Sequence, residues 1–166
     1  MASKSVFILL GSNLGNRELL VNQAVEMIGE RCGKIVAKSS MYESEPWGFK
    51  SDYWFLNQVV NIDTTLSPDE LMLSLLSIEK ELGRDRSTQH ECYVSRPMDL
   101  DILYYDDEIV DTDLVTAPHP RLHLRRFTLL PLCDVAPDFV HPLLEKSNRQ
   151  LLDECQDFGI VNKFKL

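Results

Sequence analysis

Val6-Phe7-Ile8-Leu9-Leu10 is an unbroken apolar run closed by Gly11, and it constrains the fold more than any other stretch of the chain. Side chains of a strand alternate between its two faces, so a run with no polar position suits a central strand buried on both sides. The run is too short for the apolar core of a secretory leader or for a membrane span. Gly11-Ser12-Asn13-Leu14-Gly15-Asn16 then reads as a turn, with Asn16 as N-cap of a helix. That helix carries Leu20, Ala24 and Met27 beside Val21, Val25 and Ile28.

The remaining pattern sets the order of elements. A second strand is expected at Ile35–Ser40 and a loop at Glu43–Asp52, where Pro46 and Gly48 stand. Trp54–Thr64 reads as the third strand, with Phe55, Asn57 and Val59 on one face and Leu56, Val60 and Ile62 on the other. Ser67-Pro68-Asp69-Glu70 is a capping box with proline at the first helical position; it opens a helix through Leu71, Leu75, Ile78 and Leu82 that Gly83 ends. After a polar loop from Arg84 to Ser95 comes a strand at Asp99–Tyr105, then a hairpin through Asp106-Asp107 into Glu108–Asp111. Helices are expected over roughly Leu124–Leu130 and Arg149–Cys155. The order β-α-β-β-α-β predicts a ferredoxin-like α+β fold, a mainly antiparallel sheet with helices packed on it, forming one domain over residues 1–166.

Composition excludes some classes of function. A formal net charge of −9 with no long basic run argues against holding a nucleic acid by its backbone. Cys32, Cys92, Cys133 and Cys155 are scattered without a C-x-x-C pair and read as free thiols, which places the chain in the cytoplasm. No membrane association is expected, and a monomer is.

Within Arg96-Pro97-Met98-Asp99-Leu100-Asp101-Ile102 two carboxylates share one face of a strand while Leu100 and Ile102 share the other. Half-buried like charges are costly unless a cation lies between them. Mg²⁺ brought by a phosphorylated substrate fits that requirement, and two solvated aspartates on an edge strand are the plainer reading. Arg84, Arg86 and Arg96 bracket the preceding loop, and Arg121, Arg125 and Arg126 follow Pro118-His119-Pro120. Guanidinium groups bind phosphate bidentately, though such clusters also serve as solvated faces. Taken with the aspartates they point to phosphoryl transfer from a nucleoside triphosphate, on a scaffold that has no P-loop and no protein-kinase motif. Gly11-Ser12 followed by a D-x-D pair also invites a polymerase-β-type nucleotidyltransferase, but there the pair follows soon after the serine, whereas here it stands at position 99.

Phe55 and Asn57 share a face, which suits stacking a flat heteroaromatic ring and reading its edge; a core phenylalanine with a capped asparagine is the alternative. Trp47 and Phe127 could add a lid and a second stacking face. His119, between two prolines, either bonds a phosphate or caps a turn. His123 is a weaker candidate, and His90 and His141 are expected at the surface.

The chain resembles the 6-hydroxymethyl-7,8-dihydropterin pyrophosphokinase family of folate biosynthesis from Ile8 to about Asp138. The landmarks are Leu10-Gly11-Ser12-Asn13-Leu14-Gly15, Ser39-Ser40-Met41-Tyr42-Glu43-Ser44-Glu45-Pro46-Trp47-Gly48 and Phe55-Leu56-Asn57. They continue in Leu82-Gly83-Arg84-Asp85-Arg86, Arg96-Pro97-Met98-Asp99-Leu100-Asp101-Ile102-Leu103 and Ala117-Pro118-His119-Pro120-Arg121. The resemblance implies transfer of pyrophosphate from MgATP to the dihydropterin hydroxymethyl group, with release of AMP. It implies that Asp99 and Asp101 hold two Mg²⁺ ions and that Arg84 and Arg96 close on the transferring phosphates with help from Arg86. Phe55 and Phe127 would sandwich the pterin, with Asn57, Ser44, Glu45, Trp47 and Arg125 around it. Glu79, Ile102, Thr116, His119 and Arg121 would lie on the ATP side. The chain departs from the family in having Val94-Ser95 for the usual Gly-Pro and Leu76 for a frequent glutamine. A catalytically inactive ferredoxin-like module that binds nucleotide or pterin is the alternative from another class.

Overall fold

A computed structural model of the chain describes residues 2–45, 54–83 and 98–164. The element order is β1 (Lys4–Ser12), α1 (Arg17–Arg31), β2 (Lys34–Lys38), β3 (Tyr42–Ser44), β4 (Phe55–Thr64), α2 (Pro68–Glu81), β5 (Asp99–Tyr105), β6 (Val110–Asp111), β7 (Thr116–Ala117), α3 (Arg126–Val135), α4 (Asn148–Glu154) and β8 (Val161–Lys163). β1 pairs antiparallel with β4 on one side and with β5 on the other. The far edge of β4 is shared by β2 and β3, and β8 adds outside β3. This order, with α1 and α2 as the connections, is the split βαβ arrangement expected from the sequence.

The apolar run divides between two cores. Val6, Ile8 and Leu10 pack with Val21, Ala24 and Ile28 of α1 and with Leu71, Leu75 and Ile78 of α2. Phe7 and Leu9 face the other way, onto Leu129 and Leu132 of α3 and Leu151 of α4. Each buried Val, Leu, Ile or Phe side chain among these contributes about 2 kcal/mol relative to exposure. A bulge at Leu103, opposite Phe7 and Ile8, shifts the alternation of β5. Leu100 and Ile102 therefore belong to the first core, Leu103 and Tyr104 to the second, and Tyr105 to the first again.

The local signals hold where they are strongest. The Asn16 side chain accepts from the Leu19 N–H at 3.2 Å, Ser67 and Glu70 form the reciprocal box, and Gly83 takes φ 104° after α2. Several boundaries differ. Gly11 and Ser12 continue β1 rather than turning, because each pairs with β4. Glu43 and Ser44 lie in β3, not in a loop. The turn at Asp106-Asp107 carries a single bridge between Tyr105 and Glu108, after which β6 pairs with β7 instead of β5. α3 starts at Arg126, after a 3-10 turn at Leu122–Leu124, and continues through Pro131 to Val135. The proline forfeits one bond, to the Phe127 carbonyl, while Leu129 and Leu132 on either side of it are fully buried.

His141 is buried rather than at the surface. Its Nδ1 accepts from the N–H groups of Leu143 and Leu144 at 3.1 Å, and its ring meets Tyr104 edge-on at 5.6 Å. His90 and Cys92 lie outside the described residues; Cys32, Cys133 and Cys155 are free. The Tyr104 hydroxyl donates to Asn148 Oδ1 at 2.7 Å, and Asn148 Nδ2 donates to the Ala136 carbonyl at 2.8 Å, which joins β5 to both helices of the second core. Tyr104→Phe strands the Asn148 acceptor and is expected to lower stability by about 1–3 kcal/mol, read from the urea midpoint at unchanged m-value.

Candidate functional site

Register brings the sequence candidates to one end of the sheet. Tyr42 pairs with Asn57, Asn57 with Gly11, and Gly11 with Asp99, so these residues form one row across four strands. Two residues along, Ser44 pairs with Phe55; in the other direction Leu9 pairs with Asp101. All of them lie on the α3 face. Asn57 and Asp99 are two strands apart, about 10 Å. Between them Gly11 presents no side chain; a Cβ there would come 3.2 Å from Asn57 Oδ1 and 3.7 Å from Phe55. The glycine is therefore the floor of a trough with an aromatic–amide wall on one side and the two carboxylates on the other.

The amide is oriented by its neighbours. Asn57 is buried, and its Nδ2 donates to the Ser44 hydroxyl at 2.7 Å, which turns Oδ1 toward Gly11. On the far side of β5, buried Glu79 accepts the Leu100 N–H at 2.7 Å. Leu100 stands between the aspartates, so this carboxylate fixes the strand that carries them from its outer edge. Ile102 turns its side chain into the first core, opposite the aspartates, which leaves its backbone for any ligand.

His119 is anchored through its N–H to the Leu103 carbonyl at 2.9 Å, and its Nδ1 accepts from the Arg121 N–H at 3.1 Å. Burial and then the Arg125 cation push it down to about 4, against an opposing pull from Asp99. It is neutral at pH 7, with its remaining proton on Nε2 as a donor. Of the three arginines after Pro120, Arg125 is the buried one, and its guanidinium lies 5.5 Å from the Phe127 ring centroid. Arg121 and Thr116 are exposed. Glu45 is tied to the C-terminal segment, where its Oε1 accepts the Ile160 N–H at 2.9 Å. Trp47, Arg84, Arg86 and Arg96 lie outside the described residues.

Among the described residues no group of three or more His, Cys, Asp or Glu side chains could hold a metal. Two carboxylates on one face supply hard oxygen donors but no complete cage, and that set suits Mg²⁺ bound jointly with phosphate oxygens. Sequence reasoning passed over Tyr42 and Gly11. A glycine inside a strand pattern signals close approach of another group, and that was the available clue.

A profile of the 7,8-dihydro-6-hydroxymethylpterin-pyrophosphokinase family matches residues 7–137. The chain is 41% identical over 138 residues to a 2-amino-4-hydroxy-6-hydroxymethyldihydropteridine pyrophosphokinase of Porphyromonas gingivalis, covering 82% of this chain and 93% of that protein. It is 37% identical over 150 residues to the Aquifex aeolicus protein of that name, covering 90% and 91%. The Folic acid synthesis protein fol1 of Pneumocystis carinii is 37% identical over 158 residues, 95% of this chain but 21% of that protein. A Plasmodium falciparum HPPK-DHPS crystal structure shares the fold with a TM-score of 0.74 at 16% identity, covering 92% of this chain and 45% of that one. The chain thus spans nearly all of these two bacterial relatives and less than half of the HPPK-DHPS chain. No helix among the described residues is long and apolar enough to cross a membrane.

Between pH 6.5 and about 4 the unfolded chain binds a proton at His119 that the folded chain does not, so stability falls as pH drops through that window. Urea midpoints are expected to decline toward acid across that range. His119→Asn should flatten the decline in part, because buried His141, also lowered, keeps titrating; an undiminished slope in the variant would contradict a neutral His119.

Proposed function

Given that the chain belongs to the 7,8-dihydro-6-hydroxymethylpterin-pyrophosphokinase family, we propose that its reaction runs along the row Tyr42–Asn57–Gly11–Asp99. The enzyme transfers pyrophosphate from ATP, with Mg²⁺, to 6-hydroxymethyl-7,8-dihydropterin in folate biosynthesis. One observation carries the assignment of sides: a ring-reading wall of Phe55 and Asn57 faces the carboxylate pair across a glycine floor.

On this reading the pterin lies against Phe55, with Phe127 stacking its other face, and Asn57 reads its edge from an orientation that Ser44 holds. Glu45, Trp47 and Arg125 complete that side. Asp99 and Asp101 would hold two Mg²⁺ ions together with the triphosphate, and the metal would supply charge neutralisation there. Neutral His119 donates from Nε2 to a phosphate oxygen, while Glu79, Ile102, Thr116, Arg86 and Arg121 line the ATP side. The substrate hydroxyl attacks the β-phosphorus in line and AMP leaves, with no covalent bond to the protein. Arg84 and Arg96 stabilise the charge that develops on the transferred group. Free thiols at Cys32, Cys133 and Cys155 support a cytoplasmic enzyme, and we place it there as a monomer.

Asp99→Ala and Asp101→Ala are each expected to abolish AMP release while circular dichroism stays unchanged, since removing one of two like charges relieves repulsion. Loss of the far-ultraviolet signal would make the pair structural, and ligand binding by the unaltered protein without AMP release would favour the inactive-module reading. Arg96→Ala should lower kcat by at least about 100-fold with little change in pterin affinity, as expected for a contact made in the transition state. Equal losses in both would place Arg96 in ground-state binding.

A further inference from the structure

The two proposed walls of the pterin site sit on different elements, and neither end of α3 is attached to the β3 edge by its own backbone. The C-terminal end is tied directly: Asp134 accepts the Tyr42 hydroxyl at 2.9 Å and the Ser40 N–H at 3.2 Å. The N-terminal end, which carries Arg125 and Phe127, has no side-chain cap from its own N-cap residue. Its cap comes from far along the chain, where Asp157 Oδ2 accepts the Arg126 N–H at 3.0 Å.

The same short segment then reaches the other wall. Asp157 Oδ1 accepts the Gly159 N–H at 2.9 Å and folds the chain back. Ile160 donates its N–H to Glu45 Oε1 at 2.9 Å and accepts the Glu45 N–H at 3.2 Å. Val161 opens β8 opposite Ser44, the residue that holds Asn57. A side chain at Gly159 would come 2.8 Å from Glu45 Oε1 and 3.1 Å from Asp157 Oδ1, so both carboxylates close over that position. The segment also lines an open cleft of about 650 Å³ through Asp157 and Phe158. These polar bonds hold the segment against the two walls.

We propose that Asp157 is a positioning residue for the dihydropterin. It caps α3 and, through the turn to Glu45 and β8, sets the gap between Phe127 and the Phe55–Asn57 wall. Asp157 touches no substrate; its effect passes through Arg126 and Glu45. The proposal rests on the pterin side of the site being the one assigned above.

The test compares Asp157→Ala, Asp157→Asn and Asn57→Ala in the full chain. Calorimetry gives the affinity for 6-hydroxymethyl-7,8-dihydropterin with Mg²⁺ and a non-hydrolysable ATP analogue present, and separately the affinity for that analogue with Mg²⁺. Asp157→Ala is expected to weaken dihydropterin binding about fivefold and raise its KM in step, with kcat and nucleotide affinity unchanged. Asp157→Asn, which keeps one acceptor oxygen, should fall between it and the parent and covers the case in which the alanine variant does not fold. Unchanged dihydropterin affinity in both Asp157 variants, while Asn57→Ala weakens it, would overturn the proposal and leave the site intact. Parallel weakening of both ligands would overturn it too, as a general loss of stability. Normal dihydropterin binding by Asn57→Ala would remove the site itself, and the proposal with it.

Discussion

β1 is the constraint on which the other elements depend, because it is buried on both faces and hydrogen-bonded along both edges. Its even-numbered apolar residues require α1 and α2 on one side; Phe7 and Leu9 require α3 and α4 on the other. β4 and β5 are set in register by the same ladders, so the positions of Asn57 and Asp99 relative to each other follow from the pairing of one strand. Where the apolar run ends, Gly11 keeps the ladder going but withdraws its side chain, and the second core gives way to a trough. The site begins where β1 stops supplying core.

Charge is arranged around that trough according to burial. Asp99 and Asp101 stay partly exposed, as two anions of like sign without a complete cage must. Glu79, fully buried, is coupled to the Leu100 N–H. Arg125 lies under Phe127, and its cation helps keep His119 neutral. The enclosed groups therefore hold one another in place, and the half-exposed carboxylates stay open to water and cations.

Features coded by a few adjacent residues were legible in the sequence. Asn16, Ser67 with Glu70, and Gly83 act within a turn of where they stand, and the shared face of Asp99 and Asp101 needs nothing more than strand periodicity. What escaped was set by distant partners. β3 and β8 are three residues each, too short for a period to register; β3 forms because β4 offers an edge, and β8 because β3 offers the next one. The bulge at Leu103 arises from pairing with Phe7 and Ile8, and the cap of α3 comes from a residue 31 positions away. His141 looked like a surface residue because nothing local marks the turn at Leu143 and Leu144 whose N–H groups it accepts. The shared face of Phe55 and Asn57 could be read from alternation, whereas their alignment with Asp99 required the register of β1.

Among the described residues β5 ends the sheet, and a terminal strand carries outward N–H groups that another polypeptide can match. Yet this strand cannot be shortened at its start without losing the aspartates. The Glu79 carboxylate resolves that conflict at Leu100 by occupying an outward donor from a helix while contributing no backbone of its own. A second chain approaching this edge would have to displace the buried Glu79 side chain to continue the ladder at Leu100.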